Sequence, residues 1–265
     1  MRRFALCDER GIADMKDERT YIKGLSIIGV AALAAVIVMG IAPAVASDMS
    51  DAQAVVDRAK VTFDDFMHDK NYTWFHENLG RARGLVIFPQ VLKAGFIFGG
   101  SGGTGVLVVR DEKSCNWMNP AFYTIGSGTF GLQIGAQSAE VIMMAMSKKA
   151  LDSLLSSSVK LGGDTSIALG PVGAGAKANV TADFISFAKA KGLYAGLNLE
   201  GSVVAVRDSL NSAYYGRAVS PANIIVKNDV KNNGALSLLA ALKKEAAKGM
   251  CSRFAAVPFE TVSIR

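Results

Sequence analysis

The sequence has few of the side chains that most often carry catalysis or bind metals, because its 265 residues include two histidines and three cysteines. Both histidines, His68 and His76, come before Ser101, the serine of a G-x-S-x-G pattern at residues 99–103. That pattern marks a hydrolase only when a helix and then a histidine follow the serine, so a hydrolase of this type is excluded. The scattered histidines and cysteines cannot supply the four ligands of a zinc site. We therefore expect no enzymatic activity, no metal and no cofactor.

Proline and charge are also scarce. The chain has six prolines and 20% charged residues, whereas 50% of its residues are hydrophobic. A chain of this composition buries enough apolar surface to fold, so disorder is excluded. The net charge of +6 is modest. It fits attraction to an anionic surface and gives no indication of nucleic-acid binding.

The N-terminal segment has the pattern of an export signal. No residue from Gly24 to Val45 is charged, basic residues precede this run, and the A-x-A sequence of residues 44–46 ends it. We expect a leader over residues 1–46, cleavage after Ala46, and a periplasmic or extracellular protein. The alternative is an uncleaved membrane anchor, because the run is long enough to span a bilayer. Cleavage would leave Cys115 and Cys251, and the sequence leaves open whether they pair.

The 27 glycines interrupt short apolar runs that are rich in β-branched residues. These runs predict strands at residues 84–88, 91–98, 106–109, 122–125, 131–134, 140–146, 166–169, 174–180, 184–188, 193–199 and 203–206. Helices are predicted at residues 147–156, 221–226 and 235–247. We expect one α+β domain over residues 47–249, with a mostly antiparallel, glycine-rich sheet or barrel and flanking helices. Residues 250–265 have no clear period and predict a poorly ordered tail.

The glycine-rich stretch at residues 99–105 contains a G-x-G-x-x-G pattern. In a dinucleotide-binding fold the third glycine opens a helix, but here the β-branched residues 106–109 follow it. A dinucleotide site is therefore excluded. We expect this stretch to be a turn between strands, and its backbone N–H groups give an anion site as the alternative.

An amphipathic helix of about five turns precedes the sheet, with an apolar stripe that includes Val55, Val56, Phe63 and Phe66. Two interpretations of the stripe stay open. It packs on the domain, or it lies in the surface of a membrane. The opposite side of the helix mixes acids with bases, which favours packing.

Nine short segments along the chain resemble the SYLF lipid-binding domain family. They are residues 84–89, 93–100, 103–107, 119–123, 135–138, 182–184, 191–196, 199–202 and 214–216. The resemblance covers about residues 50–245. It implies binding to membrane lipids, with phosphoinositides as the ligands of eukaryotic members and actin as a partner of some. This chain departs from those members in its export signal, and an exported protein would not meet cytosolic actin.

The resemblance therefore predicts a protein that binds an anionic lipid or membrane surface without catalysis. The predicted lipid-binding residues are the helix stripe (Val55, Val56, Phe63 and Phe66) and six lysines: Lys148, Lys149, Lys160, Lys177, Lys189 and Lys191. The stripe would contact acyl chains, and each lysine would attract phosphate. The alternative function is a structural or protein-interaction module of the cell envelope that has no lipid ligand.

Overall fold

The computed structural model describes residues 48–95, 98–111, 114, 116–130, 135–175, 180–190 and 199–247. The predicted leader, the predicted tail, Cys115, Cys251, Lys177 and Lys191 lie outside these residues. The boundaries of the leader and of the tail therefore stay predictions. The described residues all belong to one compact unit. Both hydrophobic core clusters described below lie within residues 48–247.

In the described residues, eight strands form one sheet. Six of its seven strand pairings are antiparallel, and the pairing of β6 with β7 is parallel. The strands are β1 (Gly84–Gly95), β2 (Phe98–Val109), β3 (Ala121–Phe130), β4 (Gly135–Ala145), β5 (Ser158–Lys160), β6 (Ile167–Leu169), β7 (Phe184–Ala190) and β8 (Val203–Val206). Their order across the sheet is β5-β8-β3-β2-β1-β4-β7-β6. The predicted α+β class with a mostly antiparallel sheet is confirmed.

The sheet is curled, because its two edge strands are consecutive in sequence. β5 and β6 are joined by residues 161–166. In a flat sheet the edges of eight strands would lie about 34 Å apart. The connection between β5 and β6 reaches at most about 24 Å when fully extended. Backbone hydrogen bonds such as Gly162 N–H to Thr165 O at 2.8 Å shorten it further, so the edges must approach each other.

Strand β1 lies in the middle of the sheet and contains Pro89. Proline cannot donate to a strand ladder, so it occurs in a central strand only at a bulge. The pairing of β1 shifts register at this point against both of its neighbours. The strands predicted at residues 84–88 and 91–98 are thus one strand as far as Gly95, whereas Phe98 belongs to β2 and residues 96–97 lie outside the described part. The predicted turn at residues 99–105 is also wrong, because these residues are paired strand in β2, and this pairing uses the N–H groups of the alternative anion site.

In the part of the chain that the structure describes, five α-helices pack around the sheet: α1 (Asp48–His68), α2 (Thr73–Asn78), α3 (Lys148–Leu154), α4 (Asp208–Tyr215) and α5 (Leu236–Ala246). The predicted helix at residues 221–226 is a π-helix over Ala222–Val226. Helices α2 and α4 were not predicted. Two sequence signals identify α4: the helical spacing of Leu210 and Tyr214, and the glycine that follows at position 216. Gly216 ends the helix with a φ of 69°.

Alternate residues of the strands build two separate cores. One side of the sheet, here the first face, carries Leu85, Ile87 and Phe187 and packs against α1, α2, α4 and α5. The other side, the second face, carries Val86 and Phe88 and packs against α3 and the π-helix. A strand with both faces buried has a continuous apolar sequence, which is why residues 84–88 were recognisable as a strand.

Some predictions fall partly outside the described residues. Of the strand predicted at residues 174–180, the described residues 174, 175 and 180 are not strand. The strands predicted at residues 131–134 and 193–199 lie outside the described part, apart from Leu199, which is not strand. Among the described helices, none is long and apolar enough to cross a membrane.

Candidate functional site

Helix α1 forms where it was predicted, and its apolar stripe faces the sheet. Val55, Val56, Phe63 and Phe66 are all buried, Phe66 at 0% exposure. The ring of Phe66 lies 4.5 Å from that of Tyr72. Of the two interpretations, packing on the domain is the one that the structure shows. Contact of these four side chains with a bilayer stays a prediction that requires α1 to leave the sheet.

The four described lysines of the predicted site do not share one surface. Lys148 and Lys149 lie on α3 at the second face, Lys160 is exposed on the edge strand β5, and Lys189 lies on β7 at the first face. Three of them are in ion pairs: Lys148–Asp152 at 2.6 Å, Lys149–Asp183 at 3.6 Å and Lys189–Asp69 at 3.3 Å. These carboxylates partly cancel the field that the lysines were expected to present to phosphate.

Asp183 is the centre of a hydrogen-bond network that joins three elements. It accepts from the Ser147 hydroxyl at 2.6 Å and from the N–H and hydroxyl of Ser166 at 3.0 and 2.9 Å. Ser147 also caps α3, because its hydroxyl accepts from the N–H of Ala150. The bonds from Ser147 and Ser166, with the charge of Lys149, lower the pKa of Asp183 from 3.8 to about 2. This network fixes α3 and β6 to β7.

A groove of about 380 Å³ lies on the first face, between α1 and the sheet. The bulge at Pro89 bends β1 away from its regular path, and it lines the groove together with β4 and β7. The apolar part of the lining is Val61, Pro89, Ala139 and Ala190. Val61 of α1 borders the groove and is 55% exposed, whereas the apolar stripe of the same helix is buried. A groove of this volume is in the range of small-molecule sites, roughly 300–1,000 Å³.

The rest of the groove lining is polar or charged: Arg58, Thr62, Gln90, Ser138, Glu140 and Lys189. The Thr62 hydroxyl donates to Glu140 at 3.3 Å, and the Gln90 amide donates to the Ser138 hydroxyl at 3.4 Å. Arg58 donates from Nε to the backbone oxygen of Ala54 at 3.2 Å. This bond fixes the guanidinium at the rim, where its two terminal nitrogens have no bonded partner among the described residues.

Lys189 is held at the groove by Asp69, which follows the end of α1. Burial alone would raise the pKa of Asp69, but hydrogen bonds from Asn71 and Lys189 outweigh it and lower that pKa. Asp69 is therefore a carboxylate at neutral pH, and Lys189 keeps its place as a cation. The groove thus combines apolar walls with two cations and one carboxylate, an arrangement suited to a ligand with an apolar part and an anionic group.

Sequence reasoning found Lys189 and the helix α1, but it missed Arg58, Val61 and Thr62. These three residues follow the helical spacing i, i+3 and i+4, so they lie together beside the buried stripe. The signal in the sequence was Val61, an apolar residue that lies outside the apolar stripe and three residues after Arg58. The contribution of Gln90, Ser138 and Glu140 depends on the bulge and on strand order, which the sequence does not reveal. Within the described ranges, no group of three acidic, histidine or cysteine side chains is placed to hold a metal ion.

Residues 126–245 match the family model described as "Ysc84: Las17-binding protein actin regulator". The SH3 domain-containing protein PJ696.02 of Schizosaccharomyces pombe is 39% identical over 144 residues, which are 52% of this chain and 33% of that protein. Protein YSC84 of Saccharomyces cerevisiae is 34% identical over 145 residues, 52% of this chain and 31% of that protein. Human SH3 domain-containing YSC84-like protein 1 is 30% identical over 154 residues, 56% and 44% of the two chains.

The matched segment therefore spans less than half the length of each of these curated relatives. No solved structure matches the chain.

Proposed function

From the premise that this chain is a member of the SYLF family, we propose that it is a non-enzymatic protein that binds an anionic lipid in the groove beside α1. The observation that carries this proposal is the combination of apolar walls and a cationic rim in one open groove. Arg58 and Lys189 would contact the phosphate of the headgroup. Val61, Pro89, Ala139 and Ala190 would contact the first methylenes of an acyl chain.

The expected energy of each contact is small. Each methylene removed from water contributes about 0.8 kcal/mol, and a hydrogen bond to a charged group contributes about 1.5–3 kcal/mol. Three methylenes with one arginine contact therefore contribute about 4–5 kcal/mol before the cost of association, so a single short-chain lipid should bind weakly, with a dissociation constant of about 1 mM or above. Glu140 faces the same groove and repels phosphate, so a lipid with a single anionic group fits better than a highly charged headgroup.

The test separates the headgroup from the chain. The protein used is residues 47–265, which contain both core clusters. Isothermal titration calorimetry measures its binding to dihexanoyl phosphatidylglycerol, dihexanoyl phosphatidylcholine and glycerol phosphate. We expect the anionic short-chain lipid to bind most tightly, because it alone combines a net negative charge with the methylenes, whereas the choline of the second lipid cancels the charge of its phosphate and glycerol phosphate has no acyl chain. Equal affinity for all three ligands, or none for any, would overturn the proposal.

Two substitutions with matched controls locate the site. Arg58→Gln should weaken binding about tenfold, because it removes a charged donor, while Lys60→Gln on the same helix should change it little. Lys60 pairs with Asp64 at 2.6 Å and does not line the groove. Val61→Asp should also weaken binding, while Val226→Asp changes another exposed valine, at 64% exposure, outside the groove.

A protein-interaction module is the second candidate function. What favours it is the description of the matched family and the name "LAS seventeen-binding protein 3" of a Saccharomyces cerevisiae relative, 33% identical over 145 residues. For this chain we also propose export, from the uncharged run and the A-x-A site of the leader. In that case cytosolic actin is not its partner, and a cell-envelope protein is. N-terminal sequencing of the protein from its native cell tests cleavage after Ala46.

A further inference from the structure

A segment on the second face has features of a binding surface that the lipid groove does not use. It comprises residues 217–231, here the basic loop, and begins after Gly216, at the end of α4. Five of its side chains are buried, and four of them fix it to the second-face core: Val219, Ile224, Ile225 and Val230. The loop is thus a built part of the domain, and the side chains between these anchors are presented in fixed positions.

The exposed part of the basic loop is cationic. Arg217, Lys227 and Lys231 are exposed, and Asp229 is the one carboxylate in the loop. That carboxylate accepts from the Asn223 amide at 3.2 Å, and the Asp229 backbone oxygen accepts from Arg217 at 3.1 Å. Asp229 therefore stabilises the loop, whereas the ammonium groups of Lys227 and Lys231 are exposed to solvent.

The backbone of the loop places an apolar residue among these cations. The π-helix at Ala222–Val226 ends with a bond from the Lys227 N–H to the Ala222 oxygen at 3.0 Å, and it leaves Val226 64% exposed. Asn228 follows with a φ of 53°, a left-handed conformation that asparagine adopts more readily than most other residues with a side chain. The conformation persists because the Asp229 N–H donates to the Asn223 oxygen at 3.0 Å. π-Helical turns of this kind are frequent at functional sites.

We propose that the basic loop docks an acidic segment of a protein partner, with an apolar side chain of that segment packed on Val226. Charge complementarity identifies the partner as acidic, and a preorganised loop lowers the entropy cost of binding it. The choice of a protein over a bilayer rests on the proposed lipid site. The groove lies on the first face and the loop on the second, so a domain that holds lipid in the groove presents the loop away from that membrane.

The test is fluorescence anisotropy of residues 47–265 with a labelled synthetic peptide of glutamates around one central leucine. We expect saturable binding that weakens as salt is raised. The double variant Lys227→Glu with Lys231→Glu should weaken binding at least about tenfold, because two attractions become repulsions. The matched control, Lys243→Glu with Lys244→Glu on α5, makes the same change in net charge and should stay within about twofold. Val226→Ser should weaken binding and leave its salt dependence unchanged.

Three outcomes would overturn the proposal. In the first, the peptide does not bind. In the second, both double variants lose the same affinity for the peptide. In the third, the Lys227→Glu with Lys231→Glu variant no longer sediments with anionic vesicles but keeps its affinity for the peptide. The last outcome would assign the loop to a bilayer. Because these variants keep Arg58 and Val61, binding of the short-chain lipid in the groove is measured independently. Failure of one proposal is therefore distinguishable from failure of the other.

Discussion

The two faces of the sheet are covered by elements that differ in length, in buried side chains and in charge. The longest of the four helices that pack on the first face is α1, which has 21 residues and buries seven of them. The second face is covered by α3, a helix of seven residues, and by the five-residue π-helix within the basic loop. Helix α1 carries more carboxylates (Asp48, Asp51, Asp57, Asp64 and Asp65) than cations (Arg58 and Lys60), whereas the basic loop has the opposite excess.

This difference teaches how each face is held. The first face depends on packed aromatic rings, among them Phe66, Tyr72 and Phe75. The second face combines its core with hydrogen bonds to short segments, such as the network of Asp183 and the bond from the buried Tyr123 hydroxyl to the Leu154 oxygen. Burial also raises the pKa of Tyr123, so it stays a neutral donor. Substitutions should therefore act through packing on the first face and through steric fit, hydrogen bonds or pH on the second.

The largest effect is expected from Phe66→Ala on the first face. The side chain is fully buried against Tyr72 and Phe75, and its loss leaves a cavity that the rings cannot fill. We expect a loss of about 3–5 kcal/mol in the free energy of unfolding, measured by urea denaturation. Val61→Ala on the same helix is the control, with an expected change within about 0.5 kcal/mol. A loss below about 1 kcal/mol for Phe66→Ala would show that α1 is held loosely, and it would favour insertion of its stripe into a bilayer.

The next effect concerns two glycines on neighbouring strands, Gly105 of β2 and Gly128 of β3, which differ in the space around them. Gly105 points to the second face, where a Cβ atom would lie 2.2 Å from the Ile87 oxygen and 2.6 Å from a ring carbon of Phe88. The bulge of β1 causes this close approach. Gly105→Ala should therefore cost about 3 kcal/mol, because backbone has to move. At Gly128 of β3 an added Cβ meets nothing within 4 Å. Thermal denaturation of Gly105→Ala and Gly128→Ala should differ clearly, and equal melting temperatures would contradict the bulge geometry.

The third effect is a pH dependence on the second face. The folded pKa of Asp183, about 2, lies below its ordinary value of 3.8. Stability from this carboxylate is therefore present above about pH 4 and is lost as the pH falls toward 2. The shift corresponds to about 2 kcal/mol at neutral pH. Asp183→Asn should lose that amount at pH 7 and should flatten the decline of stability between pH 4 and 2. If the variant and the parent chain decline equally in this range, Asp183 is not the group responsible.

The fold class was predictable because both faces of the sheet leave a pattern in the sequence. Continuous apolar runs marked the buried centres of β1 and β7, and helical spacing marked α1. The glycine-rich part of β2 was not predictable as strand, because glycine alone favours a turn. Its strand structure results from pairing with β1 on one side and β3 on the other. Strand order and the curl are tertiary properties that no local pattern contains.

The candidate site was predictable only in part, for the same reason. Lys189 and α1 were identified, but the stripe of α1 is core and its neighbour Val61 is the exposed apolar residue. Periodicity shows that a helix has an apolar side, and it does not show what that side contacts. The groove exists because a bulge at Pro89 and the end of β7 meet beside α1. That meeting depends on long-range pairing.

The smallest effect is expected at the predicted lysines of the second face. Lys148 and Asp152 form an exposed pair with side chains 76% and 53% exposed, and such a pair at i, i+4 contributes at most about 0.5 kcal/mol. Lys148→Gln should therefore leave urea denaturation nearly unchanged, and it should leave the affinity for short-chain lipid unchanged because Lys148 does not line the groove. Sedimentation with anionic vesicles distinguishes the faces. If Lys148→Gln and Lys149→Gln together reduce it while Arg58→Gln does not, the bilayer contacts the second face, and the groove on the first face is not the lipid site.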